Sequence, residues 1–575
     1  MSRQARVRAP ELVGLGGWIG SPPLTLAELR GRFVLLDFWT FCCVNCLHVL
    51  DELRPLEAQF ADVLTVVGVH SPKFAHEAVH ENVVAAVERY EVHHPVLDDP
   101  QLSTWKQYAV RAWPTLVLVD PEGYVVHTSS GEGHAEGLSR LLAELVIEHE
   151  TKGTLHRGEG LYVPPPAPPS ELLFPGKAVR LPDGTLLVSD TAHHSLVVLD
   201  ADQVVRRYGS GRRGEPFTEP QGLALHDGAV LVADTAAHRL CRLDLDTGEV
   251  TVLAGTGKPW RPGDPTSGLA LSVNLSTPWD VAVFGDEVVL AMAGTHQLWA
   301  YRDGAVRVLA GTTGEGLRDG AALSSYLAQP SGLASGTDRL WFADAETSAL
   351  RWYADGQIGT AVGTGLFDFG HRDGPAGDAL LQHPLGVTVL PDGSVAIADT
   401  YNGAVRRYDP GTDTVTTLMT GLAEPSDCIV DGSYLLVVES AAHRVTRVRL
   451  PDEALVVDGV AQRTQRPVTD LAPGPVRLTV VFTPPPGQKL DETYGPSTRL
   501  VVSGDLVVSG AGADTHLGRD LVLEGVEGVL SVAASAASCD IDAAHAACHV
   551  TQQDWGIPVR LVEGAPSELT LVLNG

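Results

Sequence analysis

Residues 38–50 read FWTFCCVNCLHVL, and three of the chain's seven cysteines lie within them, at Cys42, Cys43 and Cys46. An apolar run at 33–38 ends at these residues, and an amphipathic stretch and a second apolar run at 63–69 follow them. Apolar runs of strand length on either side of a helical pattern predict a β-α-β unit. The cysteines therefore lie where a buried strand gives way to a helix.

Cys43 and Cys46 are the best candidates for chemistry in the chain. A thiol at the start of a helix is close to backbone N–H groups and to the positive end of the helix dipole, which stabilise a thiolate. The first cysteine can attack a substrate disulfide, and the second, one turn along, can displace the product by thiol exchange. A pair of buried and unreactive thiols is the alternative, because reactivity requires exposure.

The first domain continues with a strand, a turn and a second strand. Trp113-Pro114-Thr115 opens an apolar run that ends at Asp120, and Pro121-Glu122-Gly123 has the composition of a turn. A strand follows at 124–127, and the pattern at 138–147 predicts a closing helix.

Three motifs together resemble the thioredoxin superfamily over roughly residues 20–150, namely Asp37-Phe38-Trp39, Cys43-Val44-Asn45-Cys46 and Trp113-Pro114-Thr115. The resemblance implies an α/β thioredoxin-like fold in which Cys43 is the nucleophile and Cys46 resolves the mixed disulfide. It also implies that Pro114 is cis and faces the disulfide, and that a buried Asp37 assists proton transfer. Without the resemblance, Asp37 would be read equally well as a polar residue that ends a strand.

The motif departs from thioredoxin at two places. Val44-Asn45 replaces Gly-Pro between the cysteines, and Cys42 stands where thioredoxin has tryptophan. Cys42 is therefore a possible accessory residue that competes as the resolving thiol. Trp39 and Trp113 are the other accessory candidates, and we expect Trp113 to form a wall of the site.

Other chemistries at the same cluster are weaker alternatives. Cys42, Cys46 and His48 offer soft ligands at short spacing, as in copper-binding members of the superfamily, but the sequence identifies no fourth ligand. We therefore expect no metal and no cofactor, and we expect His48 and the pair His93-His94 to be solvated. Peroxide reduction by the same thiolate is also possible in related folds, but Thr40 lacks the usual preceding proline.

The remaining sequence predicts three further regions. Residues 156–170 contain the proline-rich stretch 162–169, which predicts a stiff linker after a first domain at 1–155. A repeated unit of proline and apolar strands fills residues 171–455, and its six copies predict a six-bladed all-β propeller. Beyond it, alternating strands and turns at 456–575 predict a C-terminal β-sandwich. The units begin near Pro175, Pro220, Pro278, Pro330, Pro384 and Pro425.

The repeated unit resembles the NHL repeat in its proline, its strand ending in an acidic residue and its polar pair. Asp190, Asp234, Asp344 and Asp399 carry the acidic position, whereas Met292-Ala293-Gly294 breaks the pattern in the third unit and Glu439 replaces aspartate in the sixth. We expect these carboxylates to have a structural role in capping turns. The resemblance implies that the propeller face binds a protein partner.

Composition excludes some function classes. With 71 acidic and 41 basic residues the chain has a formal net charge of −30, which repels nucleic acid and anionic membranes. No signal peptide or membrane-spanning stretch is recognisable, so the sequence predicts a cytoplasmic protein. Cys241 and Cys428 are expected in the core, while the spacing of Cys539 and Cys548 fits either a hairpin disulfide or two separate thiols.

The order of domains resembles the family of NHL repeat-containing protein 2 and its bacterial relatives. Two functional hypotheses follow. In the first, the chain is a thiol-disulfide oxidoreductase that acts on a protein disulfide or thiol, and its propeller holds the protein partner. In the second, the chain is a protein-binding scaffold with a redox-sensing or inactive thioredoxin-like domain.

Overall fold

The computed structural model of the chain describes residues 7–164, 170–450, 461–463, 467–484, 488–490, 496–504, 506–540 and 548–574. The chain divides into two compact units, one of residues 1–166 with 465–575 and one of residues 167–464. Among the helices in these ranges, none is both long enough and apolar enough to cross a membrane.

The first unit begins with a thioredoxin-like domain, a mixed sheet with four helices. The sheet order is β1-β7-β6-β3-β4-β5-β2, in which β3, β4 and β5 are parallel and the other pairings are antiparallel. The elements are β1 (Val7–Arg8), β2 (Gly17–Ile19), β3 (Phe33–Trp39), α1 (Val44–Gln59), β4 (Leu64–His70), α2 (His80–Arg89), β5 (Val96–Asp98), α3 (Ser103–Gln107), β6 (Thr115–Val119), β7 (Tyr124–Ser130) and α4 (Ala135–Lys152).

The central strands owe their position to unbroken apolar runs. Every residue of β3, β4 and β6 is buried, as expected for strands covered on both faces. The strands predicted at 33–38 and 63–69 are confirmed. The closing helix α4 is longer than the predicted 138–147, because polar turns extend the apolar middle at both ends before Gly153 stops it at φ 68°.

The stretch predicted as a linker begins with residues that are bonded to the first domain. His156 N–H donates to Gly31 O at 2.7 Å, and Val163 N–H donates to Gly20 O at 2.8 Å. Residues 165–169 of the proline-rich stretch lie outside the described residues.

The second unit contains a series of small antiparallel sheets, six of which follow one another in its described residues. The first three sheets hold β8 (Ala178–Arg180), β9 (Leu186–Asp190), β10 (Ser195–Asp200) and β11 (Gln203–Tyr208); β12 (Pro220–His226), β13 (Ala229–Asp234), β14 (Arg239–Leu243) and β15 (Val250–Ala254); and β16 (Ser267–Leu269), β17 (Pro278–Phe284), β18 (Glu287–Met292), β19 (Gln297–Arg302) and β20 (Ala305–Ala310).

The next three sheets continue this arrangement, with one extra pair. They hold β21 (Gly320–Ala321), β22 (Pro330–Ser335), β23 (Leu340–Asp344), β24 (Ala349–Ala354) and β25 (Gln357–Val362); β27 (Gly374–Pro375), β28 (Gly386–Val389), β29 (Val395–Asp399), β30 (Ala404–Asp409) and β31 (Thr414–Thr420); and β32 (Pro425–Asp431), β33 (Tyr434–Glu439) and β34 (Arg444–Arg449). The extra pair joins β26 (Asp368–Gly370) to β35 (Ala461–Arg463).

The six sheets form a ring through their strands β8, β12, β17, β22, β28 and β32. Each of these strands contacts the corresponding strand of the next sheet, and β32 contacts β8. The junction of β32 with β8, which we call the seam, is noncovalent: Ala178 N–H donates to Asp427 Oδ2 at 3.1 Å, and Ser426 Oγ donates to Gly176 O at 2.6 Å. The His443 ring also accepts a hydrogen bond from Phe174 N–H at 3.1 Å.

The acidic residues at the strand ends are structural. Asp399 is fully buried, accepts a hydrogen bond from Gln382 N–H at 2.7 Å and pairs with the buried Arg406 at 2.8 Å. Glu439 makes two contacts of the same kinds: it accepts a hydrogen bond from Ala423 N–H and pairs with Arg444, which is exposed. The replacement in the sixth unit therefore keeps the structural role of the acidic residue. Corresponding carboxylate contacts occur at Asp190, Asp234 and Asp344.

A buried ion cluster lies among the strands that form the ring. The Lys177 ammonium contacts Leu385 O at 2.6 Å, Asp280 at 3.4 Å and Asp427 at 3.8 Å, and all three charged side chains are buried. In the fifth sheet, Gly386 occupies the position that Lys177 has in the first. A Cβ on Gly386 would lie 2.7 Å from Ser426 O, so a side chain does not fit there. The cluster therefore ties four of the six sheets together.

The C-terminal region of the first unit has two sheets that share one apolar core. Partly buried Ala112 of the thioredoxin-like domain packs against this core. One sheet contains β36 (Thr469–Leu471), β38 (Gln488–Leu490), β39 (Thr498–Gly504), β41 (Gly512–Asp514), β43 (Glu527–Asp540) and β44 (Cys548–Leu561), and the other contains β37 (Gly474–Thr483), β40 (Val507–Ser509), β42 (Gly518–Leu523) and β45 (Glu568–Asn574).

Candidate active site

Cys43 lies at the N-terminal cap of α1 and is partly exposed. Its backbone is extended, with φ −90° and ψ 109°, and its carbonyl accepts hydrogen bonds from Cys46 N–H at 2.9 Å and Leu47 N–H at 3.2 Å. The free thiol therefore sits at the positive end of a 16-residue helix, as the sequence predicted. The position combines access to solvent with the positive end of the helix dipole.

Cys46 lies one turn into α1 and is fully buried. Its thiol is hydrogen-bonded with that of Cys43, so the two sulfurs are in contact. Burial raises the pKa of Cys46 well above its usual range, and both the Cys43 contact and the Asp37 charge act in the same direction. One accessible and one protected thiol are therefore adjacent, the arrangement that stepwise attack and resolution requires.

Cys42 is buried, in contrast to its neighbour Cys43. Its N–H donates to the carboxylate of Glu77 at 2.9 Å, and the same carboxylate accepts from Thr40 Oγ1 at 2.6 Å. The other oxygen of Glu77 accepts from two backbone N–H groups, those of Lys73 and Phe74, each at 2.9 Å. Glu77 thus holds the loop before Cys43 in place, a role that sequence reasoning missed.

Asp37 lies on β3 and is fully buried. Within the described part of the chain neither of its carboxylate oxygens has a hydrogen-bond partner. Burial raises the pKa of Asp37 to about 7; the nearby His94 opposes this rise and Glu57 adds to it. A carboxyl that titrates near neutral pH beside Cys46 can exchange a proton with that thiol.

His94 and His48 are buried, so the expectation that both are solvated was wrong; only His93 is exposed. Nδ1 of His94 lies 3.0 Å from Oε1 of Glu57, on the last turns of α1. Nδ1 of His48 pairs with Glu132. The sequence conceals both pairings, because each partner is tens of residues away along the chain.

The Trp113–Pro114 peptide bond is cis, as the thioredoxin resemblance implied. Pro114 immediately precedes β6, and Thr115 of β6 pairs with Phe38 near the end of β3. The proline and the cysteine loop therefore lie at the same end of these two central strands. Trp113 is partly buried, donates from Nε1 to Ser71 O at 2.9 Å and packs on Trp105 with ring centroids 4.3 Å apart. These contacts fix Trp113 as a wall residue.

Trp39 is fully buried on the same face of β3 as Asp37. Its indole contacts the edge of the His70 ring, which in turn stacks on Phe41 at 5.3 Å. Trp39 therefore supports the loop that carries the cysteines and is not available for contact with solvent.

The residues proposed for the metal alternative are not brought together. Among the described residues, the group whose ligand atoms lie within 4.8 Å of one another is Asp120, Glu122 and His149, at a different place in the domain.

The cysteines outside the cluster have structural settings. Cys241 and Cys428 are free and buried in the ring of sheets, which confirms the prediction of core positions. Cys539 is disulfide-bonded. It pairs in backbone register with Cys548 across the β43–β44 hairpin, in agreement with the hairpin alternative.

Comparison with known proteins relates both parts of the chain to described families. Residues 31–125 match the thioredoxin-like family model, and residues 381–408 match the NHL repeat model. NHL repeat-containing protein 2 of Bos taurus is 34% identical over 547 residues, which cover 82% of this chain and 74% of that protein.

Two further relatives are informative. Protein suppressor of quenching 1, a chloroplastic protein of Arabidopsis thaliana, is 35% identical over 475 residues, which cover 76% of this chain. The chain spans less than half of that relative, 44% of its length. The thiol-disulfide oxidoreductase ResA of Halalkalibacterium halodurans is 25% identical over 126 residues, which cover 21% of this chain and 67% of that protein.

Proposed function

The chain belongs to the NHL repeat-containing protein 2 family, and from this premise we propose that it is a thiol-disulfide oxidoreductase that acts on protein substrates. The observation that carries the proposal is the pairing of a partly exposed Cys43 at a helix start with a buried Cys46 in contact with it. A relative of the thioredoxin-like domain is itself named as a thiol-disulfide oxidoreductase.

The proposed reaction has two exchange steps. The Cys43 thiolate attacks a substrate disulfide, a mixed disulfide forms, and the first substrate sulfur leaves as a thiolate and takes a proton from solvent. Cys46 then loses its proton to Asp37 and attacks the Cys43 sulfur, which releases the second substrate sulfur as a thiolate. The substrate gains two electrons, and the Cys43–Cys46 pair is oxidised to a disulfide.

The second unit supplies the proposed partner-binding part. We assign its ring of sheets as a six-bladed NHL propeller and the C-terminal pair of sheets as a β-sandwich. The buried Lys177 cluster fills the place where the inner strands meet, which favours binding on the propeller face over chemistry at its centre. We propose a cytoplasmic location, which the five free cysteines among the described residues support because they fit a reducing compartment, whereas the bonded Cys539 does not support it.

Trapping tests the function directly. Cys46→Ser cannot resolve the mixed disulfide, so we expect protein partners to accumulate on Cys43 and to be released by dithiothreitol. Cys43→Ser, which cannot attack, is the matched control. Equilibration of the wild type in glutathione buffers, read by mass spectrometry, should show a reversible Cys43–Cys46 disulfide. Thiols that stay unreacted over the whole buffer range would refute the enzyme and leave the propeller scaffold as the function.

A further inference from the structure

Four buried polar atoms around Gly68 have no hydrogen-bond partner among the described residues. They are both carboxylate oxygens of Asp37, Nε1 of Trp39 and Nε2 of His94. Buried polar atoms are nearly always satisfied in proteins, so a group of orphaned atoms at one place requires an explanation. Asp37, which carries two of these atoms, acts on the Cys46 thiol through its charge.

Gly68 creates the space that these atoms share. It is the register partner of Asp37 on the neighbouring strand, so both residues present the same face of the sheet. A Cβ on Gly68 would lie 3.0 Å from Nε1 of Trp39 and 3.2 Å from Nε2 of His94. Because Gly68 has no side chain, Nε1 of Trp39, Nε2 of His94 and Cγ2 of Val96 border a small space beside its Cα, next to its register partner Asp37; we call this space the Gly68 chamber.

The outer end of the chamber leads to the surface. Nδ1 of His94 lies 3.0 Å from Oε1 of Glu57, and when the neutral ring donates its Nδ1–H to that carboxylate, Nε2 is the acceptor that borders the chamber. The His94 side chain is 5% exposed and the Glu57 side chain 25% exposed. Helix α1 thus carries Cys46 near its start and a solvent-contacting carboxylate near its end, with Asp37 and His94 between them.

We propose that His94 and Glu57 form a proton path that connects Asp37, and through it the Cys46 thiol, to solvent across the Gly68 chamber. The inference rests on the proposed oxidoreductase function and adds the route of its proton. When Cys46 attacks, its proton passes to Asp37 and then, through a water that bridges the chamber, to Nε2 of His94. The Nδ1 proton of His94 passes to Glu57, which releases it to water. No proton is gained or lost by the path in a complete cycle.

The electrostatics agree with this order of groups. The titratable groups around Asp37 are His94, Glu57, Cys46 and, through Cys46, Cys43. His94 in its protonated form lowers the pKa of Asp37 and the Glu57 carboxylate raises it, so the charge of each group acts on that carboxyl. His70 on β4 and Asp98 on β5 lie on the same face, two residues beyond Gly68 and Val96. They form a separate pair, in which Nδ1 of His70 is 3.9 Å from Oδ1 of Asp98.

The resolving step can be timed by itself. In full-length protein with Cys42→Ser, which removes the competing thiol, Cys43 releases one thionitrobenzoate from 5,5′-dithiobis(2-nitrobenzoate), and Cys46 then releases the second. We expect His94→Gln and Glu57→Gln to slow the second release by about tenfold or more and to flatten its pH dependence near neutrality. The first release should stay unchanged in both variants.

A matched control separates a proton path from damage to the fold. His149 is a buried histidine of the same domain whose Nδ1 contacts Thr154 Oγ1 at 2.8 Å. We expect His149→Gln to leave both releases and their pH profiles unchanged. Second releases in His94→Gln and Glu57→Gln with wild-type rates and pH profiles would overturn the proposal. Glu57 is partly exposed, so its variant keeps the test valid even if His94→Gln folds poorly.

A titration without turnover distinguishes failure of the path from failure of the enzyme. Carbon-13 NMR of the Asp37 carboxyl, assigned with Asp37→Asn, should show its pKa rise in His94→Gln and fall in Glu57→Gln. If the wild type releases no second thionitrobenzoate but these opposite shifts occur, the oxidoreductase function fails while the coupled path stands. An Asp37 titration unmoved by either substitution would overturn the path, whatever the activity.

Discussion

At the scale of single residues, Asp37 is buried near the Cys46 thiol at a cost in stability that an apolar residue would not incur. Its folded-state pKa of about 7 exceeds that of an unfolded aspartate, so the native chain binds the proton more tightly. Native stability therefore falls as the pH rises between the unfolded and the folded pKa, and it stays low above the folded value.

Asp37→Asn should remove this pH dependence. We expect the variant to be more stable than the wild type at about pH 8, by on the order of 4 kcal/mol, and nearly equal to it at about pH 4. Urea unfolding at both pH values measures the difference. The control is Asp51→Asn, on helix α1, for which we expect no such change. Equal stabilities of wild type and Asp37→Asn at about pH 8 would contradict the shifted titration.

Glu77 holds the loop before Cys43 by hydrogen bonds from Thr40, Cys42, Lys73 and Phe74. Glu77→Ala leaves buried donors unsatisfied, so we expect a loss of about 2–4 kcal/mol in the free energy of unfolding. We also expect faster alkylation of Cys42, read by mass spectrometry of the native protein. The exposed Glu81→Ala, on α2, should change neither quantity. Unchanged protection of Cys42 in Glu77→Ala would show that the loop is held by other contacts.

The sequence predicted the residues whose partners are near in the chain and missed those whose partners are distant. Cys43 and Cys46 follow from a strand-to-helix pattern that local residues define. His94 was missed because His93 beside it has the same side chain and is exposed, and only the chamber left by Gly68 on the neighbouring strand distinguishes them. Glu77 was missed for the same reason, since its donors come together only in the folded loop.

At the scale of elements, ion pairs at the ends of strands stabilise five of the six sheets described in the second unit, and in the fourth and fifth sheets both partners are fully buried. Arg406 contacts both Asp399 and Asp373, and all three side chains are buried. In the third sheet the acidic position is Met292, and the position that corresponds to Arg406 is Trp299, both fully buried. Both charges are replaced together there, because either one alone would be a buried and unpaired charge.

Arg406→Met should destabilise the second unit, because it removes the positive charge from a buried group of ion pairs. The substitution leaves two buried carboxylates without their partner, and we expect a loss of about 3–5 kcal/mol in the unfolding of the second unit. The adjacent Arg407 pairs with the half-exposed Asp392, so Arg407→Met should cost at most about 1 kcal/mol. Guanidinium unfolding of the two variants measures both values. Similar losses for the two arginines would refute the distinction.

The repeats could be read as elements from sequence, but their contacts could not. Strands begin at four of the prolines that mark the units, Pro220, Pro278, Pro330 and Pro425. The meeting of Lys177 with Asp280 and Asp427 involves residues up to 250 positions apart in the chain and depends on the closure of the ring.

At the scale of the whole molecule, the seam is the place where the ring of sheets has no chain connection. His443 accepts Phe174 N–H across the seam at 3.1 Å, and His238 makes the equivalent contact with Thr277 N–H inside the ring at 3.0 Å. Each of the two contacts is a hydrogen bond from a backbone N–H to Nδ1 of a histidine. An opened seam, however, frees two sheets at once, whereas an interior contact is backed by the chain on both sides.

We therefore expect His443→Ala to raise amide hydrogen exchange in β8 and β32 by about fivefold, the factor given by a lost hydrogen bond of about 1 kcal/mol. His238→Ala should leave the exchange of these two strands at the wild-type rate. Hydrogen-exchange mass spectrometry of the intact chain compares them. Equal effects of both substitutions on β8 and β32 would show that the seam is no weaker than the other junctions.

Ala112 packs against a core formed by the C-terminal region, so this contact can form only after the intervening second unit has been synthesised. The ribosome completes residue 166 before the whole second unit and reaches residue 465 only afterwards. At typical elongation rates this interval lasts roughly 15–60 s. During that time Ala112, two residues before the cis-proline, lacks the apolar core against which it packs in the folded first unit. The segment after residue 465 is thus made well after the domain against whose Ala112 its core packs.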